Sequence, residues 1–174
     1  MTKTKWSKGS LFEYFSANPP KGATKTQQAF YDYQLTKLLG AAPMTNYFKP
    51  SETCCKCGCG MQPDQKLLDK LNEIRGVWGK PLTVSSGARC VAYNQSLRDR
   101  GIPAALHSNH TKGMAVDITT FKPSDLPFLK AVIASMADNL GIWVEDYDAT
   151  PIWIHIQIVP YPSYKPGSTR FFKV

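Results

Sequence analysis

Residues 152–158 read Ile-Trp-Ile-His-Ile-Gln-Ile, with isoleucine at every second position. Successive side chains of a β-strand point to opposite faces of its sheet. The alternation therefore predicts a strand over Ile152–Val159, with the isoleucines on one face and Trp153, His155 and Gln157 on the other. We expect this strand to present His155 on a polar or cleft-facing surface.

A second strand is predicted at Ala115–Thr119. On this strand Val116 and Ile118 share one face and would point to the core, so Asp117 points the other way. A carboxylate among apolar strand residues needs a partner, because burying a lone charge is costly. If the two strands pair side by side, His155 comes within reach of Asp117.

The remaining pattern alternates helices and strands. Helices are predicted from Pro63-Asp64-Gln65 to Trp78 with a stop at Gly79, over Cys90–Arg100, and over Leu126–Leu140 with a stop at Gly141; strands are predicted at Pro81–Ser85 and Ile142–Glu145. This order is typical of an α+β fold with a small, mostly antiparallel sheet flanked by helices.

Two segments are expected along the chain. Residues 1–45 form an N-terminal extension that is partly helical, since Gln27–Leu39 carries apolar residues at helical spacing. This helix would pack against the main domain or, alternatively, anchor the protein to a larger assembly. The main domain spans residues 46–174.

His110 lies in the loop before the second strand, and Gly113 permits a tight turn that returns the chain toward Asp117. His110, Asp117 and His155 would then form a trio suited to a zinc ion with three protein ligands. The alternative is that the histidines are hydrogen-bonded structural residues. We interpret His107 as an ordinary loop residue.

The chain carries a formal net charge of +8, but its lysines are scattered rather than clustered. Nucleic-acid binding is therefore not expected, and wall polyanions are an alternative partner for the charge. No apolar stretch is long enough to span a membrane. The basic N-terminus is not followed by an apolar stretch, so we expect no secretory signal and synthesis in a cytoplasm.

Residues 108–117 contain Ser-x-His-x-x-Gly-x-Ala-x-Asp, which resembles the signature of the zinc D-alanyl-D-alanine carboxypeptidase family. Residues 84–94, with Ser-Gly-Ala-Arg-Cys and Tyr-Asn, and residues 153–156, Trp-Ile-His-Ile, resemble two further segments of that family in the right order. Cys57–Gly60 resembles its phage and bacterial branch. The resemblance covers about residues 47–159.

By position, the resemblance implies that His110, Asp117 and His155 bind Zn²⁺ in a cleft on the sheet. It also implies that Arg89 approaches the substrate carbonyl or carboxylate and stabilises the oxyanion. The alternative for Arg89 is a structural ion pair.

Two further residues are expected at the substrate. The resemblance places Ser108 near the metal, although its hydroxyl could instead bond the backbone of its own turn. Trp153, beside the last histidine of the motif, is the other expected substrate contact.

One position departs from the family. Many members carry Glu or Asp, as general base, three residues before the last histidine, and here that residue is Ile152. Glu145 is our first choice for the base, because residues 142–145 resemble a strand of phage-type members. Asp148 is the second choice, although Asp146 and Asp148 also fit a simple turn.

The resemblance implies a zinc-dependent peptidoglycan peptidase of the D,D-carboxypeptidase or endopeptidase type. A phage lysin released to the wall, or a virion-mounted enzyme in contact with virion proteins, would fit the expected lack of a signal. The alternative is a weakly active or inactive zinc-binding module of a virion or of wall attachment, which Ile152 favours.

The chain has five cysteines, at positions 54, 55, 57, 59 and 90. Cys54, Cys57, Cys59 and Cys90 could hold a structural zinc, although the spacing of Cys57 and Cys59 is short for one. A disulfide such as Cys59–Cys90 is a second possibility. Free thiols are the default without a secretory signal.

Overall fold

The computed structural model describes residues 46–166 and 168–173. Its strands are β1 Leu82–Ser86, β2 Ala115–Thr120, β3 Trp143–Glu145, β4 Ile154–Gln157 and β5 Phe171–Phe172. They form a five-stranded sheet in the order β1-β2-β4-β3-β5. Only the β3–β5 pair is parallel, and the other three pairs are antiparallel. The predicted α+β fold with a mostly antiparallel sheet is confirmed.

Helices occupy the connections between the strands. They are α1 Pro50–Thr53, α2 Gln65–Trp78, α3 Val91–Asp99 and α4 Leu126–Leu140, with 3-10 helices at Asn109–Lys112 and Pro123–Asp125. The carboxylate of Asp64 caps α2 by accepting a hydrogen bond from the Lys66 amide, and Gly79 ends α2 in the left-handed region with φ 69°. Gly141 ends α4 in the same way, so both predicted stops are confirmed.

The core lies against one face of the sheet. Val116 and Ile118 of β2 and Ile154 and Ile156 of β4 are fully buried there, together with the apolar residues of α2 and α4. The opposite face of β2 and β4 carries Asp117 and His155. The strand alternation therefore separates a packed face from a face available for chemistry.

The predicted strand over Ile152–Val159 is too long at both ends. Ile152 is 70% exposed and lies in a turn rather than on β4. Lys130 of α4 donates hydrogen bonds to the carbonyl oxygens of Tyr147 at 3.3 Å and Thr150 at 3.1 Å, and these contacts hold the turn before the strand. The isoleucine alternation alone does not show this turn.

The short elements α1 and β5 and both 3-10 helices were not predicted. The expected helix over Gln27–Leu39, and the whole of the N-terminal extension, lie outside the described residues. Within the described part of the chain, no helix combines the length and apolar character that a membrane crossing requires.

Candidate metal centre

Two carboxylates and one imidazole lie in one row across the polar face of the sheet. Asp117 of β2 pairs directly with His155 of β4. On the other side of β4, Val144 pairs with Ile156, and extending this antiparallel register by one residue places Glu145 opposite His155. Since facing residues on neighbouring strands project to the same side, Glu145 joins Asp117 and His155 at one site.

His110 reaches this row from the 3-10 helix Asn109–Lys112. The helix ends at Gly113 in the left-handed region, with φ 70°, so the predicted turn is confirmed. A Cβ at Gly113 would lie 2.9 Å from the carbonyl oxygen of Gln62, so the close approach of the two segments also requires glycine.

The three predicted ligands converge. Oδ1 of Asp117 lies 2.8 Å from Nδ1 of His155 and 3.3 Å from Nε2 of His110. These two ring nitrogens are themselves 3.3 Å apart, and all three donor atoms lie within 4.8 Å of one another. Two imidazole nitrogens and one carboxylate oxygen are a donor set that fits catalytic zinc, which has three protein ligands and one open position.

Each imidazole is oriented by a hydrogen bond on its far side. Nδ1 of His110 donates to the carbonyl oxygen of Gly87 at 2.8 Å, which leaves Nε2 for the site. Nε2 of His155 donates to Oε1 of Gln157 at 3.3 Å, which leaves Nδ1 for the site. Such partners select the tautomer and orientation that a metal-binding histidine needs.

Gln157 is held firmly in this role. Its Oε1 also accepts a hydrogen bond from Nδ2 of Asn109 at 3.0 Å, and its Nε2 donates to the carbonyl oxygen of Val159 at 2.8 Å. No function was predicted for Gln157, although the alternation already placed it on the same face as His155. Asn109 and Gly87 carried no such signal.

The pKa shifts of two of the three side chains, Asp117 and His110, favour the forms that bind a divalent cation. Burial raises the pKa of Asp117, but hydrogen bonds from His110 and His155 outweigh it and hold the pKa well below the usual range. Burial lowers the pKa of His110 and so favours the neutral ring. Burial lowers the pKa of His155 too, but the hydrogen bond and charge of Asp117 outweigh it, so that the net shift is upward. The ionised carboxylate of Asp117 and the neutral ring of His110 are metal-binding forms, whereas His155 would release a proton when a metal binds.

Arg89 lies beside Asp117 and also lines the cleft into which the site opens. Its Nη2 lies 3.3 Å from Oδ2 of Asp117, its Nε donates to Oγ of Ser86 at 2.9 Å, and its Nη1 donates to Oδ1 of Asn94 at 3.3 Å. The side chain is buried. These contacts fit the structural ion pair that was the alternative, and the oxyanion contact that the resemblance implies stays a prediction.

The site opens into a cleft of about 810 Å³. Its lining includes residues 103–105, 107–110, 149–150, 161–163 and 172–173. His107, expected to be an ordinary loop residue, is exposed and lines this cleft.

Two predicted substrate contacts also line the cleft. Trp153 is half-buried there. Ser108 is buried, and its Oγ accepts a hydrogen bond from the His110 amide at 3.3 Å. This contact fits the turn-stabilising role that was its alternative, and the substrate contact stays a prediction.

The two carboxylates considered as the base are placed differently. Glu145 is half-buried and lines the cleft. Burial raises its pKa, the positive charge of His155 lowers it, and the net shift is upward. Asp148 is exposed in a turn where its amide donates to Oδ1 of Asp146 at 2.9 Å, and among the described residues it is not part of the cleft wall. The structure thus brings Glu145, and not Asp148, to the site.

Two sheet residues, Asp117 and His155, converge with His110 of a 3-10 helix in an open cleft, and a carboxylate lies beside them. This arrangement defines a candidate metallohydrolase. Residues 45–157 match the Peptidase M15 family, and the chain belongs to that family.

The chain is 33% identical over 82 residues to the peptidoglycan L,D-endopeptidase MepK of Escherichia coli strain K12, which covers 46% of this chain and 45% of that protein. The same values hold for the proteins of that name from E. coli O157:H7 and Shigella flexneri. The chain thus spans less than half the length of these curated relatives. No solved structure matches the chain significantly.

Proposed function

We propose that this protein is a zinc-dependent peptidase that hydrolyses peptide bonds in bacterial cell-wall peptidoglycan. The observation that carries the proposal is the convergence of His110, Asp117 and His155 within 4.8 Å, at the base of a cleft and in a member of a peptidase family. The relatives named as peptidoglycan endopeptidases support the substrate class.

Zinc, when bound, supplies a Lewis acid that polarises a carbonyl oxygen and makes a bound water more acidic. His110, Asp117 and His155 would hold it. Asp117 brings one negative charge and both histidines bring neutral nitrogens, so the centre keeps a net positive charge facing the cleft. Arg89 and Gln157 keep these ligands in position through Asp117 and His155.

Glu145 performs the proton transfer in this proposal. It takes a proton from the attacking water and delivers it to the leaving amine, as amide hydrolysis requires. Its place beside His155 on the neighbouring strand, inside the cleft, supports this role. The half-buried setting that raises its pKa also makes the carboxylate a stronger base than an exposed one.

Ile152 does not argue against catalysis in this arrangement. Its side chain is exposed in the turn before β4. Glu145 supplies from β3 the carboxylate that Ile152 does not supply. The inactive-module alternative is separated from this proposal by the digestion test below.

The bound peptide lies against Trp153 in this proposal, and the net charge of +8 attracts the protein to anionic wall polymers. The endopeptidase type is favoured over the carboxypeptidase type, because the matched relatives carry that name. Delivery to the wall, as a released phage lysin or on a virion, stays a prediction from the sequence.

The test is digestion of purified peptidoglycan followed by mass spectrometry of the soluble muropeptides. We expect new peptide termini within stem peptides or cross-links with the wild-type protein and none with His110→Ala. Released terminal D-alanine alone would establish a carboxypeptidase instead. Absence of any product from zinc-loaded wild-type protein would overturn the proposal in favour of a binding module.

A further inference from the structure

Four cysteines form a second cluster of metal-ligating side chains. The Sγ atoms of Cys55, Cys57, Cys59 and Cys90 all lie within 4.8 Å of one another. The Cys55–Cys57 and Cys57–Cys90 sulfur distances are 3.3 and 3.5 Å. The set differs from the one considered from the sequence, because Cys55 replaces Cys54.

The backbone explains how so short a spacing brings three thiols together. The Cys55 amide donates to the carbonyl oxygen of Met61 at 2.9 Å, which closes the loop. Gly58 and Gly60 take left-handed conformations, with φ 78° and 80°. Other residues rarely adopt this conformation, which curls the chain so that alternate side chains converge.

Cys90 completes the cluster from a separate segment. It is the N-cap of α3, and its Sγ accepts a hydrogen bond from the Tyr93 amide at 3.3 Å. The Cys90 amide donates to Sγ of Cys55 at 3.2 Å. Amide donors and the positive end of a nine-residue helix both favour sulfur in its anionic, metal-binding form.

We propose that these four cysteines bind a structural zinc ion as a tetrathiolate site, separate from the centre in the cleft. With a zinc–sulfur distance of about 2.3 Å, tetrahedral geometry places the sulfurs about 3.8 Å apart. The sulfur separations in the structure, from 3.3 Å to at most 4.8 Å, bracket that value. A single disulfide needs only two of the sulfurs and does not account for the convergence of four.

The position of the cluster indicates which part of the backbone the proposed zinc ion would stabilise. The Ala88 amide donates to the carbonyl oxygen of Thr53 at 2.8 Å, so the cysteine loop is already joined to residues 87–90 at one point. The Cys90 amide makes a second connection by donating to Sγ of Cys55, and the metal would strengthen it. The joined segment supplies the Gly87 carbonyl to His110 and the Arg89 guanidinium to Asp117. The structural zinc thus holds the backbone that orients two ligands of the cleft.

The experiment is to measure metal content and spectra of the full chain purified under reducing conditions. We expect two zinc ions per wild-type chain, one in the Cys57→Ser/Cys90→Ser double variant, and one in His110→Ala. Cys54→Ser is the matched control and should keep two. After cobalt replacement, sulfur-to-cobalt charge-transfer absorption should appear in wild type and in His110→Ala and vanish in the double variant.

A measurement on unmodified protein covers the case in which the double variant does not fold. In the native wild type, we expect a thiol reagent to modify one cysteine rapidly and the other four only after a chelator removes the metal. Immediate reaction of all five thiols, or no sulfur-to-cobalt band, would overturn the proposal. These readouts do not involve peptidase activity, so their outcome is independent of the test of the proposed function.

Discussion

Arg89 donates from Nη2 to Oδ2 of Asp117 at 3.3 Å, while Oδ1 of the same carboxylate faces His110 and His155. The two carboxylate oxygens therefore have separate partners. Arg89 is itself fixed by Ser86 and Asn94. This arrangement prevents Asp117 from rotating and keeps one oxygen directed at the proposed zinc.

Replacing Arg89 with methionine should weaken zinc binding. Loss of an outer partner of a metal ligand typically reduces affinity by about 10- to 100-fold, and we expect a loss in this range by competition with a fluorescent chelator. Arg100→Met, at an exposed position, is the matched control. If Arg89→Met instead kept its zinc affinity but lost kcat, Arg89 would be the oxyanion contact that the family resemblance implies.

Gln157→Leu should affect the same centre from the other side. The variant removes the acceptor for Nε2 of His155 and leaves the Val159 carbonyl without its donor. We expect zinc affinity to fall about 10- to 100-fold and the free energy of unfolding to fall by about 1–3 kcal/mol. Calorimetry and chelator competition measure the two effects.

The control for this substitution is Gln95→Leu, at an exposed position of α3. Among the described residues, the Gln95 side chain forms a hydrogen bond only with Asp99. It should change neither quantity appreciably. Equal behaviour of the two variants would show that Gln157 does not position His155.

Glu145→Gln should separate catalysis from metal binding. Glutamine keeps the size of the side chain but cannot accept the proton, so we expect kcat on a peptidoglycan peptide to fall by about 10²- to 10⁴-fold. Zinc content should stay unchanged, because Glu145 is not one of the three converging donors. Asp148→Asn is the control and should remain near wild type. The reverse pattern would restore Asp148 as the base.

The sequence carried enough information to predict that Asp117 and His155 lie side by side. The period-two alternation specifies which face of the sheet each residue occupies, and pairing of the two strands brings the residues together. The same alternation could have assigned Gln157 to the site. Arg89 was harder to place, since it follows β1 in an irregular segment and its direction depends on its contacts with Ser86 and Asn94. The turn at Ile152 depends on Lys130, a distant residue in the chain, and so leaves no local pattern.

Gly87 offers the sharpest test of how the backbone supports the centre. A Cβ on Gly87 would lie 1.9 Å from the carbonyl oxygen of Thr53, a backbone atom that cannot move aside cheaply. Gly87→Ala should therefore lower the free energy of unfolding by about 1–3 kcal/mol or more. It should also weaken zinc binding, because displacement of the Gly87 carbonyl removes the partner of His110.

Gly76→Ala is the matched control. Gly76 lies inside α2, and its added Cβ would approach Tyr47 no closer than 3.8 Å. This variant should therefore stabilise the fold by about 0.5–1 kcal/mol. Thermal unfolding with and without zinc compares the two, and similar stability of both variants would contradict the close approach of Gly87 to Thr53.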